Sequence, residues 1–195
     1  MAWAKLGAET LTSTADSLTT GTFTTNKFIH SLFHRITSGN TWGMTRFNSN
    51  SNNVYALREN SNGGADGTNV SDSVIWSNGA ATDPETFVVQ FILNISGKEK
   101  LVIQHTIDNQ ATGATNAPDR REVVAKFVPS PDADITEQNL VNTTTGDFAT
   151  GTNLSALGSD LTPASGTSIE TGSIYIDTDT NQRYFWNGSS WSLQA

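Results

Sequence analysis

The chain has 195 residues, 35% hydrophobic and only 15% charged, with a net charge of −8, a pI near 4.7 and no cysteine. That length suits one ordinary domain plus an appendage, able to bury a core without staples, while the missing cysteines exclude a disulfide framework and thiolate metal sites. No basic stripe is present to neutralise phosphates, so nucleic acid is not an expected partner; nor is a membrane, since no segment approaches the roughly 20 apolar residues of a span.

The opening "MAWAKLGAETLTS" has one Lys and no apolar run of signal-peptide length, so export by a standard signal is not expected. Within it, "AWAKLGAETLTS" supplies an early strand. In "NKFIHSLFHRI" the apolar residues Phe28, Ile29, Leu32, Phe33 and Ile36 have helical spacing. Its flanks, "TGTFTTN" and "TSGNT", are strand and turn material without a cap, so a strand with both faces buried is expected. "TWGMTRFN", "NVYALREN" and "DSVIWSN" are β-rich pieces separated by "SNSN" and "NSNGGADGTN", which read as turn and loop.

The clearest element is "ETFVVQFILNISGKEKLVIQHTID". Phe87, Val89, Phe91, Leu93 and Ile95 alternate with Val88, Gln90, Ile92 and Asn94, then "SGKE" turns with Gly97 free to take positive φ. The return run places Leu101, Ile103, His105 and Ile107 opposite Val102, Gln104 and Asp108. This predicts a long antiparallel hairpin with one fully apolar face, the central pair of a sheet, and a hydrogen-bonded core histidine at position 105. In "RREVVAKFV", Val123 and Phe127 alternate with charged neighbours until "PSPDAD" breaks the strand, and "DITEQNLVN" and "GTNLSALG" follow as late strands.

About eight to ten short strands at this spacing predict an all-β chain, an antiparallel, jelly-roll-like β-sandwich over residues 1–158. The Ser/Thr-rich stretch 159–171 reads as a linker. Residues 172–195 read as a three-stranded β-meander: "SIYID", a turn at "DTDTNQ", "RYFW", a second turn at Asn187-Gly188, and "SWSLQ". So short a meander cannot bury enough surface to stand alone and is expected to pack on the main domain or on its own copy in a neighbouring subunit.

Chemistry-bearing patterns are sparse. Asp177, Asp179 and Asn181 match the opening of an EF-hand loop, but the positions for its Gly and its bidentate Glu hold Gln182 and Gly188, and no helices flank them. His30 and His34, four apart on a strand, share a face at a separation of about 13 Å, too far to ligate one metal. There is no nucleophile elbow, phosphate loop or dinucleotide fingerprint, and the carboxylates scatter into turns and strand edges. The triplets at Asn69, Asn94, Asn142, Asn153 and Asn187 fit the glycosylation pattern, as chance allows in so Asn- and Thr-rich a chain. No catalytic residue, metal site or cofactor is expected. The remaining candidates are aromatic: Tyr184, Trp186 and Trp191 fall on one face of the meander, where rings serve either as packing or as a glycan-stacking platform.

The opening "MAWAKLGAETLTS", the "FNSNS", the "NISGKEKLVIQHTID" hairpin and "NAPDRREVVAKF" together resemble small β-rich structural proteins of tailed phages, particularly aquatic ones. "GSIYIDTDTNQRYFWNGSSW" is similar to a short module ending many phage structural and fibre proteins. The resemblance implies a non-enzymatic virion component, assembled in the host cytoplasm, with no catalytic residues or cofactors to carry over. The expectation is a surface-displayed homo-oligomer, such as a trimer, serving as head decoration or head fibre beside other virion proteins such as the major capsid protein. The alternative is a tail-fibre or adhesion module gripping host glycans through Tyr184, Trp186 and Trp191.

Overall fold

A computed structural model describes residues 3–77, 85–109, 113–160, 172, 174–177 and 182–193. The chain divides into two compact units, Met1–Asp160 and Leu161–Ala195. The body runs two residues past the expected boundary at 158. Ser159 pairs with Phe28, and the Asp160 carboxylate accepts from Asn26 Nδ2 at 2.8 Å and from the Lys27 N–H at 2.7 Å. Residues 161–171, the rest of the expected linker, lie outside the described residues.

Among the described residues the body holds twelve strands: β1 (Ala4–Thr10), β2 (Ser17–Thr19), β3 (Phe28–Ile36), β4 (Gly43–Phe47), β5 (Tyr55–Ser61), β6 (Gly67–Asp72), β7 (Ile75–Trp76), β8 (Glu85–Leu93), β9 (Lys100–Asp108), β10 (Asp119–Phe127), β11 (Gln138–Asn142) and β12 (Asn153–Ser159). The predicted helix-or-strand segment is β3, with one face buried and the other half-buried rather than both buried. "GTNVSD", partly read as loop, is the edge strand β6: an edge strand packs on one side only and so carries little apolar signal.

The strands form two antiparallel sheets, β1-β12-β3-β8-β9-β10-β5-β6 and β2-β11-β4-β7. Setting aside the hairpins β5–β6 and β9–β10 leaves eight strands in two four-stranded sheets, β1-β12-β3-β8 and β2-β11-β4-β7. In chain order these are strands 1-8-3-6 and 2-7-4-5, the strand order of a jelly roll. The two extra hairpins extend one sheet past β8. At the bulge in the middle of β1, Gly7 is required: a Cβ there would clash with the Thr20 carbonyl oxygen just past β2.

The expected central hairpin is β8–β9, in the middle of the large sheet, and Gly97 turns it with φ of 69°. Its orientation is the reverse of the expectation. The side facing the small sheet is Thr86, Val88, Gln90 and Ile92 on β8 and Lys100, Val102, Gln104, Thr106 and Asp108 on β9, all buried. The more apolar side, with His105, faces outward, so His105 is not a core histidine.

The inward polar groups explain the reversal, because they find partners there. Gln104 Nε2 donates to the Trp76 carbonyl at 2.8 Å, Gln90 Nε2 to Gln104 Oε1 at 2.6 Å and to Thr45 Oγ1 at 3.0 Å, and Gln138 Nε2 to Gln90 Oε1 at 2.6 Å. Ser31 Oγ completes the chain by donating to Gln138 Oε1. At one end Arg35 lies 3.7 Å from Asp108 and donates to the Thr41 carbonyl at 3.1 Å, with Thr86 Oγ1 accepting from Arg35 and donating to Asp108. At the other end Lys100 Nζ donates to the carbonyls of Ile95 (2.7 Å) and Lys98 (2.8 Å) beside Asp134 at 3.1 Å. Apolar clusters flank this polar middle. One gathers Phe47, Tyr55, Ile75, Val123 and Phe127, and the other Leu18, Phe33, Leu140, Phe148 and Leu154.

Replacing Gln90 tests the network. Gln90→Ala removes three hydrogen bonds and leaves a void, and is expected to cost about 3–5 kcal/mol in urea unfolding. Gln90→Leu fills the space but still orphans Gln104 Oε1 and Gln138 Nε2, so it should remain destabilised. Wild-type stability in Gln90→Leu would show that the network contributes nothing.

Candidate interaction surfaces

The second unit is a three-stranded antiparallel sheet of β13 (Ile174–Asp177), β14 (Gln182–Trp186) and β15 (Trp191–Leu193). Asn187 organises the second turn: its Oδ1 accepts from the N–H groups of Ser189 and Ser190, both at 2.9 Å, and Gly188 takes φ of 98°. Trp186 pairs with Trp191, so the connection is four residues long rather than a two-residue Asn-Gly turn. Residues 178–181, and with them most of the acidic loop including Asp179 and Asn181, lie outside the described residues. Among the described residues no group of three or more His, Asp or Glu could hold a metal ion.

The register brings the predicted aromatic residues together and adds one. Tyr175 pairs with Tyr184, and Tyr184 with Leu193, so these share a face with Trp186 and Trp191. Ring centroids are 6.1 Å apart for Tyr175–Tyr184, 6.0 Å for Tyr175–Trp191 and 5.5 Å for Trp186–Trp191. Tyr175 joins rings that do not all touch one another. Its signal in the sequence was its place opposite Tyr184 across the turn. The planes are inclined by 37°, 60° and 55°, so the run is faceted rather than the coplanar platform a flat sugar face would meet. Tyr175 and Trp191 are exposed, Tyr184 and Trp186 partly covered. On the opposite face Ile174, Ile176 and Phe185 are exposed as well.

The outer face of the large sheet is the second surface, and sequence reasoning assigned its side chains to the core. Strand registers align them in rows. One row reads His30, Phe91, Ile103, Val124 from β3 to β10; the next reads Leu32, Val89, His105, Glu122; a third reads His34, Phe87, Ile107, Arg120. Six apolar side chains here are about half exposed: Phe87 45%, Phe91 49%, Leu101 50%, Ile103 52%, Ile107 50% and Val124 53%. All three histidines of the chain stand on this face. His30 stacks on Phe91 at 4.4 Å with Trp3 edge-on at 5.9 Å. His34 lies 3.9 Å from Glu85, and His105 sits between Val89 and Glu122.

A polar crevice of about 430 Å³ opens beside the small sheet, lined by Glu9, Thr19, Arg46, Ser49, Glu137 and Asn139 among others. Glu137 is held below its ordinary pKa by hydrogen bonds from Asn139, Ser49 and Thr19, and Glu9 Oε2 accepts from the Thr19 N–H at 2.6 Å. These carboxylates act as structural acceptors. The shift of Glu137 is opposite to the one a general acid needs. Of the glycosylation triplets, Asn94 is buried and donates to the Ile135 carbonyl while accepting from its N–H.

Compared with protein-family models, with curated proteins and with solved structures, the chain matches none.

His30 carries a pH prediction. Burial pushes its imidazole below the ordinary 6.5, so the folded state favours the neutral ring. The stability this preserves is complete above 6.5 and is lost as pH falls through the lower folded value. The thermal midpoint should therefore drop between about pH 7.5 and pH 5, more steeply in wild type than in His30→Gln. Identical pH profiles would refute the assignment.

Proposed function

We propose that this chain is a non-enzymatic structural protein of a tailed-phage particle, displayed on the particle surface as a homo-oligomer, in head decoration or a head fibre. The observation that carries the reading is the placement of apolar side chains. The body sets a hydrogen-bonded polar network between two apolar clusters in its interior and turns a broad apolar sheet face outward. An acidic chain that leaves such a face uncovered is built to meet another protein surface. The jelly-roll strand order adds fold-level support, since this architecture serves capsid and lectin domains alike. The exposed Ile174, Ile176 and Phe185 of the small sheet likewise call for a partner surface, on the body of this chain, in another copy or in a virion protein such as the major capsid protein.

A second reading, host-glycan adhesion through Tyr184, Trp186 and Trp191, draws on the run of rings that also includes Tyr175. Faceted rings can still grip a sugar from two sides, so the rings themselves are the discriminating test. On a glycan array, adhesion predicts specific binding that Trp186→Ala and Trp191→Ala abolish with the thermal midpoint nearly unchanged. Loss of the module's fold or of the oligomer in those variants, with no glycan signal in wild type, supports packing.

Immunogold labelling of intact particles, produced from the genome that carries this sequence, tests the primary reading. Label on heads is the expected outcome. Label confined to tail tips favours adhesion, and particles without label or copies of the chain refute a virion role.

A further inference from the structure

We propose that two copies of this chain pack face to face through the outer surface of the large sheet, with Phe91 and Ile103 near the two-fold axis. The inference deepens the homo-oligomer reading above, on which it rests, by naming the surface and the partner.

Area is the first argument. Six side chains, each about half exposed, present on the order of 500–600 Å² of apolar surface, the upper end of what a monomer's largest patch shows. The half-buried Phe28, Leu32, Val89 and Leu93 share this face. They bring it near the ~800 Å² that each partner gives to a stable interface.

Charge selects a second copy over a foreign partner. In a two-fold interface every group near the axis meets its own kind, so a fixed charge there would face itself. The outward positions of β3, β8 and β9 carry only apolar residues and histidines, apart from Glu85 at one end. The chain's net charge of −8 is therefore placed elsewhere. At the rim the charges come in pairs of opposite sign, Lys126 with Glu99 at 3.0 Å and Arg120 with Glu122 at 3.7 Å, while Glu85 lies 3.9 Å from the His34 imidazole. A surface that selects a charged foreign partner shows a marked excess of one sign, whereas this one carries Glu85 alone beyond its paired charges. Two such faces stack as sheets do in a sandwich, about 10 Å apart, with Phe87 and Phe91 reaching between opposing rows.

The full chain is measured by sedimentation velocity across about 1–100 µM, and Ile103→Glu beside it. The expected result is a wild-type dimer, or a multiple of one, and at least a tenfold weaker self-association in Ile103→Glu with an unchanged circular dichroism spectrum. An oligomer equally tight in Ile103→Glu overturns this interface but leaves the homo-oligomer reading standing. A wild-type monomer throughout overturns both. Should Ile103→Glu not fold, Ile103→Cys decides, because the chain has no other cysteine. A bismaleimide whose reach matches the ~10 Å between stacked sheets is then expected to link this variant into a dimer, and Ser49→Cys, away from this face, should give none. Equal cross-linking of both, or of neither, refutes the face-to-face pairing.

Discussion

The hydrogen-bonded chain from Gln104 through Gln90 and Gln138 to Ser31 is the constraint on which the architecture turns. It joins β9, β8 and β3 of the large sheet to β11 of the small one, with side contacts to Thr45 on β4 and the Trp76 carbonyl on β7. A glutamine moved from water into a dry interior is unfavourable unless donor and acceptor are both met, and the cost of failure is about 1–3 kcal/mol per orphaned group. A sliding of one sheet over the other by one residue pair would break several of these bonds together. The network therefore fixes how the sheets meet, a specificity that a purely apolar interface supplies less sharply.

The same constraint decides the surface. A strand has two sides, and β8 and β9 both carry alternating residues on each. Once Gln90, Gln104 and Thr106 are committed inward, Phe87, Phe91, Ile103 and Ile107 have nowhere to point but out. An inward-facing polar ladder and an outward-facing apolar one are thus one fact seen from two sides. The end groups reinforce it: Lys100 and Arg35 are fully buried but held by carbonyls and carboxylates.

Much of this was legible in the sequence. Period-two alternation gave β8, β9 and β10, the uncapped strand-and-turn flanks gave β3 against its helical spacing, Gly97 gave the central turn, and Asn187-Gly188 located the last one. What alternation cannot give is its own sign. Leu101, Ile103 and Ile107 look like a core face by hydropathy, and only the partners of Gln104, which come from β7 and β8, show that the opposite side is inside. Those partners lie 14 and 28 residues away in the chain. The short strand β2 was illegible for another reason: three residues carry no period, whereas β7 lies within the β-rich "DSVIWSN". In the small sheet Tyr184, Trp186 and Trp191 were found from their spacing. Tyr175 was passed over because its role depends on its cross-strand pairing with Tyr184.

The two hairpins added to the jelly roll are not equivalent. β9–β10 attaches directly to β8, whereas β5–β6 touches the large sheet only through β10. The outer insertion is thus nested on the inner one, although it comes earlier in the chain. Deleting the inner hairpin would leave the outer without a neighbour, while deleting the outer would bare the edge of β10 and take Tyr55 and Leu57 out of the core.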